Sequence, residues 1–261
     1  MTTFERRQRL MTILRDQPGI RVPEVAELLG VSDGTIRNDL NALAGSGQVT
    51  RVRGGGVLID ERQSRSPIFS TRIMTHRNAK QAIARQAAAL VQDNDSMILD
   101  SSTSSYYLAC CLKERRDLTI ITNGIESARE LAKNSSNIVI LLGGVLRVDG
   151  TAISVPLSEQ ILTEYHIKTA FLSCSGFTLE GGPTEVDIHE AQIKRKIIAS
   201  SGSMVALIDS SKFGRADLTS FASLDQITRL FTDNNLTPAW VKKLKQAGVP
   251  FTLCSGKTEP A

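Results

Sequence analysis

Residues 101 to 105 read Ser-Ser-Thr-Ser-Ser, directly after Asp100 and the apolar run "SMIL", and they open a helical pattern. Hydroxyls and backbone amides gathered at a helix N-terminus suit an anion, phosphate above all. Ser101, Ser102, Thr103 and Ser104 are therefore candidates for phosphate contact, and Lys212 in "DSSKFG" could bring the opposing charge. Asn123, Gly143, Gly144, Arg147, Ser175 and Gly176 follow other apolar runs and could enclose the rest of a small polar molecule. Asp100 and Glu185 could accept from sugar hydroxyls. Singly, each has a plainer reading, since Ser-rich turns cap helices and glycine pairs turn chains. Jointly they point to a site for a phosphorylated small molecule.

A second set lies in "VSDGTIRNDLNAL", residues 31 to 43, where a helix opens on a small, polar front. Ser32, Asp33, Gly34, Thr35, Arg37 and Asn38 match what the major groove of DNA demands of a recognition helix. Gly34 lets the backbone come close, and Thr35 offers a hydroxyl to phosphate or a methyl to thymine. Arg37 reaches guanine or phosphate, and Asn38 can pair with adenine. The plainer alternative is a three-helix unit that packs on a protein partner.

Both sets need scaffolds. From Phe4 to Arg15, Leu10, Ile13 and Leu14 share one helical face until "DQPG" breaks it. "RVPEVAELLG" predicts a second helix of about two turns, with Pro23 at its first position, Val25, Leu28 and Leu29 inward, and Gly30 as its stop. Val31 supplies an apolar plug and Ser32 an N-cap for a third helix that buries Ile36, Leu40 and Leu43. Two short helices joined this tightly around a glycine make a helix-turn-helix. "QVTRV" and "VLI", separated by "RGGG", predict a hairpin wing carrying Arg51 and Arg53, which would add sequence-independent phosphate affinity.

From Lys80 onward, seven apolar runs ("SMILD", "LTIITN", "IVILLGG", "TAFLSCSG", "MVALID", "ITRLFTD", "PFTLC") alternate with helical patterns, including one over "PLSEQILTEYH". Near-continuous apolar strands between helices predict a mostly parallel sheet covered on both faces, an α/β domain of Rossmann-like type. Ligands in such sheets sit beyond the carboxyl ends of the strands, where the first set of residues falls. The expected organisation is a small, mainly α winged helix-turn-helix domain over 1–60, a linker over 61–79 that runs into a helix near Ile73, and the α/β domain over 80–261.

Charge follows the same division. Residues 1–80 hold 13 Arg or Lys against 8 Asp or Glu, and the remainder 18 against 19, so a polyanion partner is expected for the basic N-terminal part, a solvated basic face being the plainer alternative. Cys110, Cys111, Cys174 and Cys254 form no CxxC and no metal-like spacing with the three histidines, and are expected as small buried hydrophobes in a reducing cytoplasm. No cofactor, metal site or membrane span is expected. His76, His166 and His189 are expected in structural roles, and Glu190 with Lys194 as an i, i+4 pair on a solvated face bordering the pocket.

"VAELLGVSDGTIRNDLNAL" and "GQVTRVRGGG", followed by "LDSSTSS", "IITNG", "LLGGVLR" and "LIDSSKFG", resemble the DeoR-type bacterial transcription regulators over essentially the whole chain. The resemblance implies a winged helix-turn-helix joined to a sensor domain related to ribose-5-phosphate isomerase, a repressor of a carbohydrate-use operon, and retuning by a phosphorylated sugar or sugar-like metabolite. The pattern departs at Asn38, where an arginine is usual, at the wing, and at Ser102, where glycine is common and a positive φ would be easier. An isomerase- or deaminase-like enzyme with an appended DNA-binding domain is the alternative, as is a ligand-independent DNA-binding protein. Such an enzyme needs acids in the loop after the fourth strand, and "SCSGFTLEGG" has only Glu180. Because one DNA-binding module buries only ~600–1,000 Å² on DNA, a homodimer or homotetramer is expected.

Overall fold

The computed structural model describes residues 2–16, 20–45, 49–52, 55–58, 69–147, 150–156, 162 and 164–255. The chain divides into two units, Met1–Thr71 and Arg72–Ala261.

In the first unit, helix α1 (Thr3–Asp16) buries Leu10 and Leu14, with Ile13 partly covered. Helix α2 (Val22–Leu29) begins one residue before Pro23, whose missing N–H falls among the donors a first turn leaves unpaired. Gly30 ends it at φ +65°, a left-handed conformation that costs a residue without Cβ little. Its N–H bonds the Glu27 carbonyl at 3.2 Å while that of Val31 reaches back to Ala26 at 3.0 Å. This closure packs Val31 on the core and frees Ser32 to cap α3 (Asp33–Gly45), where Ile36, Leu40 and Leu43 are buried as their spacing predicts. Leu28 corrects the expectation: it is 60% exposed. A helix starting at Val22 runs its inward stripe through positions 22, 25, 26 and 29, which turns Leu28 out.

The wing pairs β1 (Val49–Val52) antiparallel with β2 (Gly55–Leu58). Gly55 and Gly56, expected in the turn, are in the ladder opposite Val52 and Arg51.

Helix α4 (Phe69–Met74) crosses the boundary between the units, and α5 (Arg77–Ala88) follows, so that the described part of the expected linker is two helices joined by a bend at Thr75 and His76. All seven apolar runs become strands of one sheet: β3 (Ser96–Leu99), β4 (Thr119–Thr122), β5 (Ile138–Leu141), β8 (Ile167–Leu172), β11 (Ser201–Leu207), β13 (Ile227–Asp233) and β14 (Phe251–Cys254). Their order is β14-β13-β11-β8-β3-β4-β5, and every pairing is parallel. Side chains alternate as the pleat requires. Ile98, Ile121, Leu172 and Ala206 face one core, with α8 (Ile188–Ala199) and α9 (Pro238–Gln246) upon it. Met97, Leu99, Ile120, Phe171 and Leu207 face the other, beneath α5, α6 (Thr103–Cys111) and α7 (Ile125–Leu131).

Two small sheets were absent from the sequence reading. One is the hairpin β6 (Gly144–Leu146) with β7 (Ile153–Pro156), the other β12 (Thr219–Ser220), β10 (Gly182–Glu185) and β9 (Gly176–Thr178), in the order β12-β10-β9. Strands of two to four residues with Gly and Pro carry too few positions to show a period of two. The helix expected over 156–166 lies largely outside the described residues. Cys174 and Cys254 are buried, but Cys110 is half-buried and Cys111 exposed, because the last turn of α6 packs inward through Leu108, Ala109 and Leu112 and leaves the two cysteines on the side away from the core.

Candidate effector site and nucleic-acid interface

Chain order reverses between β3 and β8: from β3 the sheet grows through β4 to β5, and from β8 through β11 to β14. A crevice opens beyond the strand ends at such a point. Asp100, the residue after β3, stands there 1% exposed and spans it. Its Oδ2 accepts the N–H of Ser173, just after β8, at 2.8 Å, and its Oδ1 accepts from the Ser102 N–H at 3.1 Å and the Ser105 hydroxyl at 2.5 Å. Burial opposes the charge on Asp100, yet Lys194 and these donors hold its carboxyl below the ordinary carboxylate range.

Lys194 is the residue the sequence reading misplaced. It is 3% exposed, and its Nζ donates to the Ser173 carbonyl at 2.7 Å and Glu185 Oε1 at 2.6 Å and lies 3.0 Å from Asp100 Oδ2. It is bound to these carboxylates rather than displayed with Glu190 to solvent. The signal was present: Glu190, Ile193, Lys194 and Ile197 fall at i, i+3, i+4 and i+7 and are all buried, so Lys194 lies on the inward stripe of α8. A lysine there requires buried carboxylates. They keep the ammonium charged against its burial, with its pKa raised well above the usual lysine range.

Glu185 completes the link, since its Oε2 accepts from the Ser175 hydroxyl at 2.6 Å. Glu190, also unforeseen, receives the Ser101 hydroxyl at 3.3 Å and Arg147 Nη1 at 3.0 Å. Burial holds the Glu190 carboxyl above its usual range in spite of Lys194 and Arg147. Three regions far apart in sequence thus meet: Asp100–Ser105, Arg147 and Ser173–Lys194.

Ser102 sits at φ −74°, in extended backbone that any residue adopts, and its Oγ caps α6 by accepting from Ser105 N at 3.1 Å. The departure from glycine therefore imposes no strain. Ser173 Oγ contacts Ser104 Oγ at 3.4 Å, while Thr103 and Ser104 are both buried. Asn123, 1% exposed, donates to the Ile153 carbonyl at 3.1 Å, but its Oδ1 has no partner among the described residues. An unmatched buried acceptor at a strand end is costly unless something else donates to it.

Gly176 has an internal explanation, because a Cβ there would lie 2.4 Å from the Arg215 carbonyl oxygen. Gly143 and Gly144 are exposed where the chain enters β6. Lys212 lies half-buried in the turn Ser210–Lys212, capped by the buried Asp209, and its ammonium has no hydrogen bond or ion pair among the described residues. Away from these strand ends, an open depression of about 520 Å³ lies around Glu130, whose carboxylate is already bonded by Lys113 and Lys133.

In the first unit, Ser32 Oγ caps α3 by accepting from Thr35 N at 3.2 Å. Ser32, Gly34, Arg37 and Asn38 are exposed, and Asp33 and Thr35 half-exposed. Arg37, 61% exposed, lies 3.8 Å from Asp33, a loose contact one helical turn away. A Cβ on Gly34 would meet only Ser32 Oγ, at 3.8 Å. Nothing within the unit requires glycine there. Asp39, on the opposite side of α3, is 2% exposed and bonded by Arg6 Nε at 2.5 Å and Arg7 Nε at 2.9 Å, so part of the basic excess of this unit is neutralised internally. Arg51 lies in β1 with its side chain outside the described atoms, and Arg53 lies outside the described residues.

Residues 6–62 match the family model of the DeoR-like helix-turn-helix domain, and residues 75–234 that of the DeoR C terminal sensor domain. The HTH-type transcriptional regulator GolR of Listeria innocua is 37% identical over 97% of this chain and 99% of its own length. The L-fucose operon activator of Haemophilus influenzae is 34% identical over 89% of this chain and 92% of its own. The glycerol-3-phosphate regulon repressor of Escherichia coli is 27% identical over 97% and 100%. Ribose 5 phosphate isomerase A from Neisseria gonorrhoeae shows a distant likeness over 51% of this chain and 52% of that one, at 12% identity and a TM-score of 0.38. No helix among the described residues is long and apolar enough to cross a membrane.

Proposed function

The chain belongs to the DeoR family of helix-turn-helix transcription regulators, and from that premise we propose that it represses a carbohydrate-use operon under the control of a phosphorylated sugar or sugar-like metabolite. The relatives that regulate L-fucose and glycerol-3-phosphate genes support the choice of pathway class. The front of α3 enters the major groove, where Arg37 and Asn38 meet base edges and the capped start of the helix, from Ser32 through Asp33 and Gly34 to Thr35, meets backbone phosphate. Arg51 and Arg53 on the wing add affinity without sequence preference. The protein acts in the cytoplasm as a homodimer or homotetramer, since one module covers too little DNA for tight binding.

One observation carries the effector reading. Of the cations at the strand ends, Lys194 and Arg147 are already bonded to carboxylates, whereas Lys212 has no such partner among the described residues. Beside it in function stands the start of α6, where Ser101, Thr103 and Ser104 present hydroxyls and amides to an anion. Asn123 Oδ1 is an open acceptor for a sugar hydroxyl. Asp100 and Glu185, whose oxygens are engaged by the chain itself, hold this wall in place and steady Lys194 and Ser175. A catalytic reading finds no base in Lys194: its ammonium donates to the Ser173 carbonyl and to Glu185 and lies 3.0 Å from Asp100, and these carboxylate neighbours keep it protonated.

Thermal unfolding of the full chain against sugar phosphates, each beside its unphosphorylated sugar, tests this. A ligand at ~100 times its dissociation constant adds ~2.7 kcal/mol to the unit that binds it. Stabilisation by a phosphorylated compound alone, lost in Lys212→Ala, is expected. A response in which phosphorylated and parent sugars are equal would overturn the phosphate assignment.

A further inference from the structure

Lys80 and Tyr107 are buried polar side chains that neither the DNA-binding front nor the effector site employs, and both end on the same short stretch of backbone. Lys80, 5% exposed on α5, donates from Nζ to the carbonyl of Arg72 at 2.8 Å and that of Thr75 at 2.5 Å. Tyr107, 8% exposed on α6, donates its hydroxyl to the carbonyl of Ile73 at 2.8 Å. These carbonyls belong to the last turn of α4 and to the bend that follows it, groups a helix end leaves unpaired. The bend itself turns on His76, which caps α5 at φ +51°, ψ +36°, in the left-handed region, with no side-chain bond to compensate. A residue with a Cβ stays in that region only where its surroundings hold it there. Two side chains from two different helices do so here.

The far ends of those helices carry the second part of the argument. Tyr107 is one turn from Thr103, Ser104 and the Ser102 cap, so the helix that would receive the anion at its start holds the elbow from its middle. Lys80 stands on α5, which packs on β11, the strand that leads into Asp209 and Lys212, the loop that would close on the same anion. In the other direction, the boundary between the two compact units falls inside α4, between Thr71 and Arg72.

We infer that the α4–α5 elbow relays effector occupancy, with Lys80 and Tyr107 as positioning residues that tie it to the two sides of the anion site. This rests on the effector reading above. An anion drawn between Lys212 and the start of α6 shifts both ties together, and the strained bend at His76 is the place where backbone angles change.

Hydrogen–deuterium exchange on the full-length protein, with inorganic phosphate or glycerol 3-phosphate as probe, tests the relay without knowledge of the operator. In the wild type, the probe slows exchange at residues 102–105 and changes that at 72–80 by about fivefold or more, the lower range of ordinary coupling between sites. Tyr107→Phe, which removes a single hydroxyl, and Lys80→Met keep the protection at 102–105 but reduce the elbow response below about twofold. Should Lys80→Met fail to fold, Tyr107→Phe decides alone. Protection at 102–105 with an unresponsive wild-type elbow, or an undiminished elbow response in the variants, overturns the relay and leaves the effector site standing. No protection at 102–105 with either probe removes the effector reading and the relay with it.

Discussion

At the front of α3 the side chains proposed to act are exposed or half-exposed, with a cap and a loose 3.8 Å contact among them, whereas at the strand ends Asp100, Glu185, Glu190 and Lys194 are buried and, with the partly buried Arg147, joined in ion pairs. The first surface is made to be completed by a partner from outside. The second is mostly completed from within, with Lys212 and Asn123 Oδ1 left over. The difference teaches where mutational cost should fall. Substitution on α3 should change binding and leave stability alone, while substitution in the network should change stability first.

Lys194→Met is the strongest way to break this contrast. It leaves the Asp100 and Glu185 carboxylates buried without their cation, which costs about 3–5 kcal/mol when one partner of a buried ion pair is removed. Denaturant unfolding should show the loss in the α/β unit, with the helix-turn-helix transition unmoved. An unchanged α/β transition would mean that water reaches these carboxylates and that the network is not closed.

On α3 the expected effects are smaller and lie in binding. Arg37→Ala should weaken a selected operator by ~1–3 kcal/mol if the guanidinium reads a base, with no change in unfolding. Gly34→Ala sharpens the test, because the two properties should move in opposite directions. The helix gains up to about 1 kcal/mol from losing a glycine in its first turn, since a Cβ meets only Ser32 Oγ at 3.8 Å, while close approach to DNA is obstructed. Tighter operator binding by Gly34→Ala would show that this glycine is not a site of close backbone contact.

The smallest effect concerns Asp39, the one buried charge among the described residues of the first unit. Burial works against Asp39, but Arg6 and Arg7 hold its carboxyl below the ordinary 3.8. A carboxylate depressed on folding stabilises above its unfolded value and loses that contribution as pH falls through the folded value. Unfolding of the helix-turn-helix unit should therefore weaken below about pH 4, and Asp39→Asn should flatten that dependence. An unchanged acid profile in Asp39→Asn would assign the effect to other groups.

The unequal legibility of the two regions has a single source. Each signal for the helix-turn-helix is local: the Gly30 stop, the Ser32 cap three residues before Thr35, and Ile36, Leu40 and Leu43 at helical spacing need no knowledge of distant residues. The seven strands were legible for the same reason, as apolar runs long enough to be covered on both faces. The sequence by itself therefore determined the order of the elements, the type of sheet and the loops at which to look. Tertiary structure decided which charges meet. That Asp100 lies against Ser173 follows from the placing of β8 beside β3, that Lys194 leaves the solvated face expected of it for two carboxylates follows from the packing of α8 on the sheet, and that Gly176 answers to the Arg215 backbone follows from the bridge of Phe177 to Arg215. The Asp100–Ser173 contact joins residues 73 positions apart, and no local period or cap records it. Lys212 was chosen from its loop alone; its importance rests on the neighbouring cations having been drawn to carboxylates that only the folded chain brings to them.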